Sequence, residues 1–120
     1  MILVDTSIWV DHIRVGDPQL VSLLRTKLVL VHPFVIGELA VGNLRDRRLR
    51  LGFLLDLPTV AAASHDEVLR FIDDRKLFGI GISYIDAHLL AATLLTRETS
   101  LWTRDKNLRA AAMRLGFAVH

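Results

Sequence analysis

Four acidic side chains stand in company that does not suit a charge. Asp5 follows the apolar run Ile2-Leu3-Val4, Glu38 is the only charged residue between Leu28 and Leu44, and Asp86 is the only one between Leu77 and Thr96. Asp105 repeats the first pattern, coming after Leu101-Trp102-Thr103-Arg104. A carboxylate drawn out of water costs several kcal/mol unless it is paired, neutralised or bound to a metal. Each acid therefore needs a partner. Taken singly, an arginine folded back onto any of them would serve, and Asp5 and Asp105 also read as helix caps. Taken together, acids that meet at one place raise each other's proton affinity, and a divalent cation is the simplest thing that holds them ionised. Oxygen donors without clustered histidine or cysteine favour a hard ion, Mg2+ or Mn2+, over zinc. Such an ion draws charge from a phosphate and lowers the pKa of bound water, so the chemistry indicated is phosphodiester hydrolysis by direct attack of water. No serine, cysteine or histidine nucleophile with an oriented base is evident. Ser7 and Thr103 lie beside the acids in sequence, where a hydroxyl can hold a carboxylate, a water or a phosphate.

Elements must bring these residues together. Ile2–Val4 reads as a short strand buried on both faces, which leaves Asp5 at its carboxyl end, where ligands collect in open α/β sheets. Helical spacing puts Phe34, Val35, Val41 and Gly42 on the face of Glu38, and Ile82, Ser83, Leu89 and Leu90 on that of Asp86, so both acids are expected to point toward the core. Helices are expected over Ser7–Arg14, from Pro18 with Leu20, Leu23 and Leu24 inward, over Phe34–Gly42, and over Asn43–Leu57. A capping box of Ser64 and Glu67 opens another that runs to about Phe78, Ser83 starts one through Leu95, and Asp105 caps Asn107–Leu115. Strands are expected at Leu28–Val31, Thr59–Ala62, Leu101–Thr103 and Phe117–Val119. This alternation predicts a three-layer α/β/α sandwich with a mainly parallel central sheet, in one domain spanning residues 1–120.

Composition narrows the class. The absence of cysteine excludes disulfides, thiolate zinc sites and cysteine nucleophiles. Apolar residues make up 52%, with no 20-residue lipid-facing stretch, and Ile2–Val4 is too short for a signal-peptide core, so a soluble cytoplasmic protein is expected. The same apolar surplus in a small domain favours a homodimer. A net charge of +2 argues little for nucleic acid, but Arg45, Arg47, Arg48 and Arg50 fall within six residues. They could neutralise phosphates or form the solvated side of a helix. Arg104, Lys106, Arg109 and Arg114 gather similarly near the other end.

Val4-Asp5-Thr6-Ser7, Gly37-Glu38-Leu39, Tyr84-Ile85-Asp86-Ala87 with Leu90-Ala91-Ala92, and Leu101-Trp102-Thr103-Arg104-Asp105 resemble, in this order, the motifs of PIN-domain ribonucleases. The resemblance is in particular to the VapC toxins of toxin–antitoxin pairs. It implies an acidic quartet of Asp5, Glu38, Asp86 and Asp105, with Thr103 in the hydroxyl position before the last acid. It further implies a magnesium- or manganese-dependent endoribonuclease, usually a homodimer, restrained by a small VapB-like antitoxin whose tail lies across the site. Contact of the arginine cluster with RNA follows from its charge and not from the resemblance. Two rivals remain: a PIN-like binding or dimerisation module with structural acids, and a phosphoacceptor receiver domain. The second lacks paired acids after its first strand and has only Lys106 for its lysine. Gly79-x-Gly81 lacks the third glycine of a dinucleotide-binding loop, since Tyr84 occupies that place.

Overall fold

In a computed structural model that describes residues 1–120, Ile2–Val4 form strand β1 at the centre of a parallel sheet. Strand β2 (Val29–Leu30) lies on one side and β3 (Ser100–Trp102) on the other. Leu3 is opposite Leu30 and Leu101, and Val4 is opposite Trp102. Successive strand residues point to opposite faces, and Leu3 and Val4 are both fully buried, so the sheet is covered on both sides. That is the expected layered sandwich.

Parallel neighbours require crossovers, and helices supply them. Helices α1 (Thr6–Val15) and α2 (Pro18–Arg25) join β1 to β2. Between β2 and β3 come α3 (Pro33–Val41), α4 (Arg47–Leu55), α5 (His65–Arg75) and α6 (Tyr84–Leu95), and α7 (Lys106–Arg114) follows β3. Helix α1 packs on α3, α5 on α6, and both α6 and α7 on β3. One cluster of 21 buried residues surrounds the sheet, with Trp9, Leu20, Leu89, Leu90 and Leu108 among them. A smaller one, Val68 with Ala87 and Ala91, joins α5 to α6. No helix is long and apolar enough to cross a membrane.

Two expected strands shrink to single rungs. Of Thr59–Ala62 only Thr59 bridges, to Val31, and of Phe117–Val119 only Val119 bridges, to Leu101. Pro58 has no N–H to give, and the Ala61 amide turns to Thr96 Oγ1 at 3.0 Å, so the first ladder stops. The Phe117 amide closes α7 onto the Ala112 carbonyl, which leaves little chain for the second. Two helices are also shorter than expected. The segment 43–46 is a turn with Asp46 in the left-handed region, so α4 begins at Arg47 and ends before Leu57. Helix α5 stops at Arg75, short of Phe78, because Lys76 turns left-handed and the Leu77 amide reaches back to Ile72, with Leu77 buried.

Candidate active site

At the carboxyl edge of the sheet Asp5 and Asp105 are linked through Thr103. The Asp5 amide donates to the Trp102 carbonyl at 2.9 Å, which continues the β1–β3 ladder one residue beyond the strands. The chain then turns into α1, and Asp5 caps it by accepting from the Thr6 amide at 2.7 Å. Asp5 is only 6% exposed. Its other oxygen, Oδ2, accepts from Ser7 Oγ at 2.9 Å and from Thr103 Oγ1 at 2.6 Å. Thr103 in turn accepts from the Asp105 amide at 3.0 Å, while Asp105 Oδ1 caps α7 through the Leu108 amide at 2.9 Å. A continuous bonded path therefore joins Asp105 to Asp5 through Thr103.

Glu38 and Asp86 arrive from helices. Thr6 Oγ1 donates to Glu38 Oε1 at 2.7 Å, which ties α3 to the start of α1. Asp86 forms a capping box with Ser83: its Oδ2 accepts from the Ser83 amide, and its own amide donates to Ser83 Oγ, both at 3.0 Å. Burial pushes the Asp86 carboxyl above its ordinary range; bonding from Ser83 opposes this, and the charges of Asp5 and Asp105 add to the rise. Three of the four acids thus share one field, and Glu38 is bonded to the residue beside the first. The amino ends of α1, α6 and α7 all lie at these acids, and their partial positive charge offsets part of the repulsion.

Some expectations need correction. Glu38 is exposed, and so are Phe34, Val41 and Gly42, with Val41 at 89%. Helix α3 buries Val35 and Leu39 instead, so Glu38 reaches the start of α1 at the solvent edge, through Thr6, and not through the core. No arginine or lysine pairs with any of the four acids: the ion pairs are Arg14 with Asp11, and Arg104 with Asp11 and Asp17. Folding back of arginines is therefore not how these charges are held. The arginines at 45–50 are divided. Arg45 borders a cavity of about 610 Å³ that also touches Glu38 and Arg14, whereas Arg50 lines another, of about 420 Å³, with Trp9 and Phe53. Arg47 donates to the Gly42 carbonyl at 3.4 Å, and Arg48 is exposed. Thr6 and Ser83 were the residues sequence reasoning missed. Each had a signal, Thr6 directly after Asp5 and Ser83 three positions before Asp86, the spacing that marks Ser64 and Glu67 as a cap.

As the side chains stand, no three acidic or imidazole groups are gathered closely enough to grip an ion. Each carboxylate is turned onto a neighbouring hydroxyl or amide. Glu38 Oε2, Asp86 Oδ1 and Asp105 Oδ2 nonetheless keep lone pairs with no protein donor. An all-oxygen donor set with no cationic side chain on it, its Asp86 raised by burial first and by the charges of Asp5 and Asp105 second, has the chemistry of a site for a hard divalent cation.

Comparison with known proteins identifies the family. The PIN domain family matches residues 2–113, on a segment that contains all four acids. Ribonuclease VapC32 from two strains of Mycobacterium tuberculosis is 44% identical to this chain over 119 residues, covering 99% of this chain and 96% of each relative. Neither match is to a receiver domain. Identity of that degree across nearly the whole of both chains makes this chain a member of the PIN-domain family, of the VapC type.

Proposed function

We propose that this chain is the endoribonuclease toxin of a toxin–antitoxin pair, acting in the cytoplasm with magnesium, or manganese in its place, held by Asp5, Glu38, Asp86 and Asp105. The observation that carries this is the bonded path from Asp105 through Thr103 to Asp5, with no cationic side chain on any of the acids. The relatives' name, ribonuclease, supports the choice of substrate.

The residues divide the work. Three donors, the Thr6 amide and the hydroxyls of Ser7 and Thr103, fix both oxygens of Asp5. Thr6 holds Glu38 by Oε1 and leaves Oε2 free, and the capping bonds of Asp86 and Asp105 leave one oxygen of each available. A divalent cation bound there supplies charge against the phosphate and makes a water easier to deprotonate. Helix amino ends at the same edge favour an approaching phosphate. Arg45, Arg47, Arg48 and Arg50 are assigned to the flanking RNA phosphates, with Arg45 bordering a cavity that also touches Glu38 and Arg50 lining a separate one. Ser7, bonded to Asp5, is the hydroxyl assigned to the substrate phosphate. Exposed apolar side chains, Phe34, Val41 and Phe53 among them, support a homodimer and a protein partner of the VapB kind.

One assay tests it. Purified free of antitoxin, the protein should cut RNA with Mg2+ or Mn2+ and stop with chelator, and Asp5→Asn should lower the rate by about a hundredfold or more, the scale of losing a group from the reacting centre, while leaving the circular dichroism spectrum unchanged. Folded protein with no metal-dependent cutting would favour the binding-module reading instead. In the same preparation, replacing the four arginines with Gln should flatten the salt dependence of RNA binding; an unchanged slope removes them from the interface.

A further inference from the structure

Arg104 stands between Thr103 and Asp105, and by type and place it would be taken for a phosphate ligand. The structure turns it the other way. Its Nη1 donates to Asp11 Oδ2 on α1, and its Nη2 donates to Asp17 Oδ2 at 2.7 Å. Asp17 is the cap of α2, its Oδ1 accepting from the amides of Gln19 at 2.9 Å and Leu20 at 3.0 Å, so one carboxylate serves the helix and the arginine at once. Those amide bonds and Arg104 hold the Asp17 carboxyl below its usual range, the Leu20 amide contributing most. The backbone of the same residue is also held, since the Arg104 amide donates to Ser7 Oγ at 3.2 Å, and Ser7 in turn donates to Asp5.

We infer that Arg104 is a positioning residue. Its guanidinium anchors the turn between β3 and α7 to α1 and α2, and this sets Thr103 and Asp105 against Asp5. Three attachments on two elements fix a turn whose flanking residues are both in the site. A planar fork that spans two separate carboxylates suits this task, because a lysine presents one charge and reaches one acid well. The one positive charge of Arg104 is shared between Asp11 and Asp17 and offsets half of theirs. The kinetic side of this inference rests on the ribonuclease reading; the structural side does not.

The test uses Arg104→Ala, Arg104→Lys and the double variant Asp11→Asn/Asp17→Asn, in which the amide carbonyl introduced in place of the Asp17 carboxylate can still cap α2. Arg104→Ala and the double variant should each lower kcat by about tenfold with KM for RNA unchanged, and Arg104→Lys should recover part of the loss. Adding Arg104→Ala to the double variant should cost little more. In metal-free protein, amide hydrogen exchange at Asp105 and Leu108 should quicken in the same variants, while Leu3 and Leu101 stay protected. A raised KM with a shallower salt slope, and a silent double variant, would make Arg104 an RNA ligand and overturn the inference. So would unchanged kcat and unchanged exchange. If Arg104→Ala does not fold, the lysine and double variants decide. If the wild type does not cut RNA, the ribonuclease reading fails and the exchange measurements still judge the clamp.

Discussion

Thr6 occupies the first position of α1, where a hydroxyl usually serves the helix, yet it donates across to Glu38. The bond lies exposed to water, where it adds little to stability, but its geometry decides where Glu38 points. Thr6→Val keeps the shape and removes the donor. Single-turnover cutting should slow by about tenfold, with the unfolding midpoint nearly unchanged; a rate equal to wild type would show that Glu38 finds its place unaided. At this scale Asp5, Glu38 and Asp86 stand out because each follows or interrupts an apolar run, whereas Asp105, between Arg104 and Lys106, is marked only by the strand before it. The side to which Glu38 points was not legible. Phe34, Val35, Ile36, Leu39 and Val41 are apolar all round α3, so periodicity had no polar face to oppose, and burial of Val35 and Leu39 made the choice through tertiary packing.

Helix α6 is apolar through most of its length, so its entry angle depends on its cap. Ser83 and Asp86 satisfy each other's amides there, and the same two bonds hold one of the four acids. The start of α5 has the same device in Ser64 and Glu67, far from the acids in role. Ser83→Ala and Ser64→Ala should each cost about 1 kcal/mol in urea unfolding. Only Ser83→Ala should also reduce cutting, because only its partner faces the site; equal cutting in both variants would detach the cap from function. Among the elements, caps and prolines marked most helix starts correctly, as Pro18, Ser64, Ser83 and Asp105 show. The edge strands failed for a physical cause. Short apolar runs such as Thr59–Ala62 and Phe117–Val119 look like strands, but how many rungs they form depends on where neighbouring amides find other acceptors, as Ala61 and Phe117 do.

The whole molecule should answer to acid through His32. This residue follows β2, caps α3 by accepting the Phe34 amide at Nδ1, and is buried against His88 and Phe34. Its Nε2 has no partner. Burial, aided by the nearby His88, lowers its pKa from 6.5 to about 4. The unfolded chain therefore binds a proton more readily than the folded one, so stability is full above pH 6.5 and declines as the pH falls toward 4. The loss from this group is on the order of 2 kcal/mol by pH 4. Urea midpoints between pH 7 and 4.5 should fall for the wild type and fall less for His32→Asn, which keeps a cap acceptor; parallel curves would exclude His32 as the cause. The layered fold itself was legible in the alternation of short apolar runs with helices.

The contact between Thr103 and Asp5 spans 98 positions, and the central strand β1 waits for β3 to fill its second side. Closing so long a loop comes late in folding, because its entropy must be overcome before the contact returns anything. A chain still leaving the ribosome therefore holds Asp5 without Thr103 or Asp105 beside it. If Thr103 and Asp105 serve the site as proposed, the unfinished chain has no complete site, and cutting begins only once the last strand has docked beside the first.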